Sequence, residues 1–371
     1  MHNAIGLMSG TSLDGVDVAW LRTDGEQIES FGPTGYRPYS TEEQVVLREA
    51  LDAAALIVRR EERPAEVAAA EDLVTRAHAE AVKSFLDTHR IDRSTVDVVG
   101  FHGQTVLHRP HDRLTVQIGN GGELAKMLGL PVVYDFRTAD IAAGGQGAPL
   151  VPVYHRALAR LADCAMPSAI VNIGGVANIT YIDIDTLIAC DTGPGNALLD
   201  DYLLRHTGEA MDRNGASAAQ GEPDTDWIAQ ALEHPFFDTP APKSLDRNDF
   251  ASLTVEGMTL EDGAATLTAF TAASIARIVD QLPNQPASWI VVGGGANNPT
   301  LMQILSEQLT PIPVITGHDL GWQGDSIEAQ AFAYLAVRSL KGLPLTYPGT
   351  TGVAAPLTGG VLARPQGSED P

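Results

Sequence analysis

Cysteine is nearly absent from this chain. Cys164 and Cys190 are the only two in 371 residues, too few for a disulfide framework and without the CxxC or histidine spacing of a zinc site. Cys190 reads as a small buried hydrophobe. No stretch reaches the ~18 apolar residues of a membrane helix, and the N-terminus has no basic segment followed by an apolar core of the secretory kind. Cytoplasmic residence without a membrane partner is therefore the expectation. Basic residues are scarce too, 24 against 47 acidic for a net charge of −23. That argues against nucleic acid as a partner, because a phosphate backbone demands a basic face. It leaves small anionic ligands open, since a metal ion, a few local cations and backbone donors can reverse the field inside a site.

A content of 44% hydrophobic and 19% charged residues is that of a well-packed globular protein. The length exceeds the ~250–300 residues at which single cores stop growing, so two domains with a cleft between them are expected. The spacing of elements puts these at 1–140 and 141–371, with the final helix free to pack back on the first domain. The uncharged segment Ala142–Pro149, rich in glycine, reads as a junction or mobile loop.

The opening residues are the most specific. Strand-like Asn3–Leu7 and Val16–Arg22 flank a turn of Gly10, Thr11, Ser12, Leu13, Asp14, Gly15, Val16 and Asp17. Backbone amides and two hydroxyls there can converge on a phosphate while Asp14 and Asp17 stay available for a metal. It is not a Walker loop, which needs Lys and then Ser or Thr after its last glycine. An ordinary glycine-rich turn would share part of this pattern. Downstream, Ala169–Ile182 repeats the plan of apolar strand, small-residue turn and apolar strand, which points to internal duplication and two similar α/β halves.

Between these hairpins a glycine- and proline-rich loop is expected through Tyr39, then helices over 41–54, where Ser40 and Glu43 form a capping-box signature, and over about 65–90. Strands follow at 96–101, 114–118 and 130–134, with a short helix near 122–128. The stretch from 205 to 262 is irregular, with one short helix around 224–232. A helix over about 264–282 leads to the buried strand 289–292 and into Gly293, Gly294, Gly295, Ala296 and Asn297. Asn298 as N-cap and Pro299 as first helical residue then open a helix. A flat ligand can lie against backbone at such a strand, triple glycine and helix. The last helix spans 326–341, and the tail past Gly359 is expected to fray.

Several polar residues sit at predicted strand ends, where α/β sheets bind ligands. Asp191 follows the strand 186–190 in a loop with Pro194 and is placed either as a general base or as the organiser of an Asx-turn. Glu328 is either a substrate contact or the third-position partner of a capping box begun by Asp325. His102 and Gln104 suit the reading of sugar hydroxyls. Arg137 stands out in so acidic a chain as a residue able to grip a carboxylate bidentately, or else as the partner of Asp135 or Asp140. Lys243 is a weaker candidate for a phosphate or substrate contact.

Seven motifs in order, Gly6–Asp17, His102–Thr105, Gln117–Gly121, Asp135–Arg137, Gly144–Leu150, Asp191–Asn196 and Gly324–Ala329, closely resemble the anhydro-N-acetylmuramic acid kinase family across nearly the whole chain. The resemblance implies a two-domain actin-like ATPase fold, a duplicated ribonuclease H-like α/β architecture. It also implies ATP and Mg²⁺ as cofactors, a homodimer, and a role in recycling the bacterial cell wall. The reaction implied opens the 1,6-anhydro ring of 1,6-anhydro-N-acetylmuramic acid with water and phosphorylates O6. On matching positions Asp191 would be the base. Gly10 to Asp17 would hold the phosphates, with Asp14 and Asp17 on Mg²⁺, and Gly293 to Gly295 and Asn297 would border the nucleoside. His102, Gln104, Asn120, Arg137 and Glu328 would face the sugar, with Arg137 on its lactyl carboxylate. Two rivals share these hairpins: a kinase of an intact amino sugar and an ATP switch of the actin or chaperone kind.

Overall fold

The computed structural model describes residues 1–245, 249–250 and 252–365. The chain divides into two compact units, one of Met1–Leu161 together with the chain from Asp325 onward, the other of Ala162–Gly324. Unit 1 begins with β1 (His2–Ser9), β2 (Gly15–Thr23), β3 (Ile28–Pro38), α1 (Thr41–Ala54), α2 (Ala65–His89), β4 (Val98–Arg109), β5 (Leu114–Ile118), α3 (Gly121–Leu128), β6 (Val132–Tyr134), α4 (Thr138–Ala142) and α5 (Pro152–Leu161). Unit 2 holds β7 (Ser168–Ile173), β8 (Val176–Ile182), β9 (Leu187–Pro194), α6 (Ala197–Thr207), α7 (Thr225–Ala231), α8 (Leu260–Arg277), β10 (Ser288–Val292), α9 (Pro299–Gln308) and β11 (Val314–Thr316). The chain returns to unit 1 as α10 (Ile327–Leu340), α11 (Pro348–Thr351) and β12 (Val361–Ala363).

The two sheets have one plan. In unit 1 the order is β12-β6-β4-β1-β2-β3, with β5 paired to β4, and in unit 2 it is β11-β10-β7-β8-β9. Each begins with three antiparallel strands, β1-β2-β3 and β7-β8-β9. In each the first strand then pairs in parallel with a later one, β1 with β4 and β7 with β10, which in turn pairs in parallel with β6 or β11. This is the duplicated ribonuclease H-like fold of the actin-like ATPases, and the likeness of the two hairpins is its trace in the sequence.

In unit 1 one side of the core joins Ile5, Leu7, Val16 and Val18 to Val67, Val74 and Val82 of α2. The other face takes α10, which packs on β1, β2 and β4. Gly6 and Gly100 make that approach possible, because a Cβ at either would run into the α10 backbone at Ala329 or Phe332. In unit 2, Ala169, Val171 and Ile173 of β7 and Trp289 and Val291 of β10 meet Ile275 of α8 and Leu301 and Leu305 of α9.

Most elements lie where the sequence puts them. Helix α1 begins with the expected capping box, the Glu43 amide donating to the Ser40 hydroxyl at 3.2 Å and the Ser40 amide to the Glu43 carboxylate at 2.8 Å. Asn298 caps α9, with Pro299 as its first residue. Four expectations are corrected. The loop through Tyr39 is in fact β3, an edge strand whose register shifts between Phe31 and Thr34 accommodate Gly32 and Pro33. The tail is not frayed throughout, since Val361–Ala363 pairs with β6. The glycine-rich segment 142–149 lies inside unit 1 rather than at a junction, and the contact boundary between units falls after Leu161. Asp191 lies within β9 rather than in a loop beyond it.

Candidate active site

The β1–β2 turn is built from inside. Leu13 is buried with φ 56°, its amide donating to the Gly10 carbonyl at 3.3 Å, and Val16 points into the core. Leu13, Gly15 and Val16 therefore offer a ligand backbone at most. Thr11, Ser12 and Asp14 are exposed, and a Cβ at Gly10 would meet nothing closer than the Ser12 hydroxyl at 3.7 Å. Ser12 donates to the Asp14 carboxylate at 2.7 Å. Asp17 is opposite Tyr36 on β3, and Asp14 and Asp17 act together, after burial, to raise the Tyr36 hydroxyl. The two carboxylates thus share one neighbourhood. Among the described residues no group of three or more His, Cys, Asp or Glu can hold a metal, so a cation here would take two carboxylates and complete its shell with phosphate and water oxygens, as Mg²⁺ does.

Gln104 underlies this turn. It is fully buried; Ser9 donates to its Oε1 at 2.6 Å and its Nε2 donates to the Gly10 carbonyl at 3.0 Å. Its amide holds the hairpin and presents no surface to a sugar.

Arg137 is fixed on two sides. Its Nη2 and Nε donate to His102 Nε2 at 2.9 and 3.3 Å, and Nη1 donates to the Gly147 carbonyl at 2.8 Å. With Nε2 receiving, the imidazole proton sits on Nδ1 and is donated to the Gly103 carbonyl at 2.8 Å. Burial, then the adjacent Arg137 charge, keeps His102 neutral by pulling it well below its ordinary value. Both ring nitrogens are occupied, so His102 reads Arg137 rather than a hydroxyl. A guanidinium has five N–H groups; the three used here leave one on Nη1 and one on Nη2. Burial lowers Arg137 to about 10 while Glu328 and Asp140 act to raise it. Among the described residues no carboxylate lies within ion-pair range of it. The expected partner Asp135 pairs with Arg60 at 2.6 Å.

Asn120 caps α3, its Oδ1 accepting from the Glu123 amide at 2.9 Å. With His102, Gln117, Tyr134, Arg60 and Arg63 it also lines a cavity of about 200 Å³. Glu328 is the second residue of α10, which begins at Ile327 with no side-chain cap from Ser326, so it does not stand at the third helical position expected of it. Its side chain keeps an open face. The protein crowded around it restricts hydration without enclosing it, which pushes the carboxyl up against the opposing pull of Arg137.

In unit 2, Asp191 pairs with Asn178 beside a bulge in which Thr192 has no partner across the ladder, the kind of irregularity that re-aims side chains next to sites. The segment 243–245 flanks it. The Asp191 amide donates to the Lys243 carbonyl at 3.0 Å, and its Oδ2 accepts from the Leu245 amide at 2.7 Å. Burial pushes the carboxyl up to about 6, against the Leu245 hydrogen bond and the Lys243 charge. Lys243 is itself buried, donating to the Phe236 carbonyl at 3.1 Å with its ammonium 4.5 Å from that ring. Gly293 has φ 80°, and a Cβ there would strike Asn172. Gly294 and Asn297 line a cavity of about 430 Å³ with Gly174, Gly175, Asn196, Asp200 and the stretch Met211–Asn214. Gly295 is buried against Ile173. That stretch lies in the region the sequence left irregular, and no motif marked it.

The chain is a kinase built on the duplicated ribonuclease H-like fold. More narrowly, it belongs to the anhydro-N-acetylmuramic acid kinase family, whose sequence profile matches residues 2–364. It is 63% identical over 366 residues to the anhydro-N-acetylmuramic acid kinase of Nitrobacter winogradskyi, covering 98% of this chain and 100% of that one. The Rhodopseudomonas palustris (strain BisB18) protein of the same name is 62% identical over 363 residues, with the same coverage. Among solved structures, component A of (R)-2-hydroxyglutaryl-CoA dehydratase from Acidaminococcus fermentans superposes loosely, with a TM-score of 0.49 and 10% identity over 92% of this chain and 100% of that one.

Proposed function

We propose that this chain uses ATP to convert 1,6-anhydro-N-acetylmuramic acid and water into N-acetylmuramic acid 6-phosphate and ADP, a cytoplasmic step in recycling cell-wall peptidoglycan. The observation that carries this reading is the end-to-end match to kinases bearing that substrate's name. Asp191 takes a proton from water as its oxygen bonds to the anomeric carbon. The bond from that carbon to O6 breaks, and O6 receives the γ-phosphoryl group. A carboxyl near 6 is ionised at neutral pH and still basic enough to accept that proton. Asp14 and Asp17 would hold Mg²⁺, which would supply charge neutralisation at the phosphates.

The exposed turn Gly10–Asp14 supports phosphate binding through backbone amides and the Thr11 and Ser12 hydroxyls. The unit 2 cavity beside Gly294 and Asn297 has room for a nucleoside. In unit 1, the two open N–H groups of Arg137 take the lactyl carboxylate, with Asn120 and Glu328 as sugar contacts. Gln104 and His102 serve this arrangement from beneath, through the turn and through Arg137. The active form is a homodimer.

The test is ATP consumption with Mg²⁺ in ¹⁸O-labelled water, comparing the anhydro sugar, N-acetylmuramic acid, N-acetylglucosamine and no acceptor. Phosphorylation of the anhydro sugar alone, with label entering C1 faster than a free anomeric carbon exchanges, is the expected result. Phosphorylation of an intact sugar, or hydrolysis without an acceptor, refutes the proposal.

A further inference from the structure

Asp140 is a buried carboxylate outside the chemistry so far assigned, and both of its oxygens are committed. Oδ1 accepts from the Gly147 amide at 2.6 Å, and Oδ2 accepts from the Thr351 hydroxyl at 2.6 Å. Asp140 is 2% exposed and Thr351 not at all. The same two residues engage the glycine-rich segment through backbone, the Gly145 amide donating to the Asp140 carbonyl at 2.9 Å and the Gln146 amide to the Thr351 carbonyl at 2.7 Å. A Cβ at Gly145 would collide with the Asp140 carboxylate, and Gly147 has φ 70°. An uncharged run that would otherwise be loose is thus held by three hydrogen bonds to Asp140 and Thr351, which are themselves joined by a fourth. From this segment the Gly147 carbonyl receives Arg137 Nη1 at 2.8 Å.

We propose that Asp140 and Thr351 are positioning residues for Arg137 that set the preference of the site for a sugar bearing a carboxylate. The bond that fixes the Gly147 N–H holds in place the residue whose carbonyl receives Nη1. His102 holds the opposite edge. The guanidinium is clamped at both sides and left with one N–H on each terminal nitrogen, the pattern a carboxylate receives bidentately. Asp140 also contributes negative charge near Arg137 without lying in ion-pair range of it, so it does not consume the donors a substrate needs. A carboxylate bound to a preorganised fork loses less to ordering than one bound to a mobile arginine.

This rests on Arg137 as the carboxylate site, and the experiment separates the two ideas. KM and kcat are measured for 1,6-anhydro-N-acetylmuramic acid and for 1,6-anhydro-N-acetylglucosamine, which lacks the lactyl carboxylate, in the full-length protein and in Thr351→Val, Thr351→Ser, Asp140→Ala and Arg137→Met. Thr351→Val keeps the side-chain volume and is the variant least exposed to misfolding. Expected is about a tenfold rise in KM for the carboxylate sugar with kcat within about threefold, and no comparable rise for the analogue. Thr351→Ser should retain wild-type discrimination. Equal loss for both sugars in Thr351→Val, or none, while Arg137→Met abolishes discrimination, overturns the positioning role alone. Unchanged discrimination in Arg137→Met overturns the carboxylate reading of Arg137 with it.

Discussion

Arg137 donates two N–H groups to a single atom, the Nε2 of His102, at 2.9 and 3.3 Å. That atom can accept only while the imidazole is neutral. Burial beside a permanent cation keeps it so well below its ordinary value. His102→Phe preserves the ring packing against Phe332 and deletes the acceptor. Losing the acceptor shared by two N–H groups of a charged side chain, where a single such bond is worth ~1.5–3 kcal/mol, predicts a KM for the anhydro sugar raised about tenfold or more with kcat much less affected. Steady-state kinetics check this. A KM unchanged from wild type would mean that Arg137 needs no such anchor.

Asp191 carries opposed demands. Burial lifts its carboxyl to about 6, above the ordinary value near 3.9, so the ionised form that would accept a proton is the form the fold disfavours. Its cost to stability is absent below pH ~4, grows between ~4 and ~6 and is constant above. Asp191→Asn should therefore lower turnover by about 10²–10⁴. Above pH ~6 it should also raise folding stability by about 1–3 kcal/mol, an advantage that vanishes on acidification. Turnover of the wild type should fall about tenfold per pH unit below ~6. Paired rate and unfolding profiles test both limbs, and near-normal turnover in a folded Asn variant would end the assignment of Asp191 as base.

The sequence marked Asp191 and Arg137 because strand ends and a lone arginine are local signals. It did not reveal the neighbours that determine what they do. Leu245 and Lys243 meet Asp191 across more than fifty residues, and Thr351 reaches Asp140 across more than two hundred. Capping chemistry was legible where it was local, at Ser40 and Asn298. It misled at Glu328, where Asp325-Ser326-Ile327-Glu328 matches a capping box but α10 starts at Ile327, which makes Glu328 its second residue rather than its third. β3 was hidden because Gly32, Pro33 and Gly35 read as loop, while an edge strand tolerates them at a register shift. Gln104 and His102 looked like ligand contacts because, with Thr105, they put three hydrogen-bonding side chains together at a predicted strand end. Burial shows that their polarity serves Gly10 and Arg137.

Gly6 and Gly100 supply a packing test. Both lie where the α10 backbone crosses β1 and β4, and an added methyl would meet main-chain atoms of Ala329 or Phe332, which cannot rotate away as a side chain could. Gly6→Ala or Gly100→Ala should thus cost at least the ~1–3 kcal/mol typical of overpacking. Ala in place of Gly10, whose Cβ direction is open, should cost much less. Thermal unfolding of the three variants gives the ranking, and equal stability would remove the close α10 approach as the reason for these glycines.

Acid should destabilise this protein before its ordinary carboxylates titrate. His78 and His155 are drawn down to about 4 by burial, and burial holds His102 well below its ordinary value. All three have folded values below their unfolded ones near 6.5. The unfolded chain therefore takes up protons that the folded chain refuses. Stability is full above pH ~6.5 and lost as pH falls toward 4, at ~1.4 kcal/mol per pH unit for each histidine. Asp191 works in the opposite sense below about 6, offsetting roughly one histidine. The remainder predicts a net loss of about 3 kcal/mol per pH unit between 6 and 4. Chemical unfolding at pH 7, 6 and 5 measures it, and a midpoint that stays constant over that range would show that these histidines gain protons without unfolding the chain.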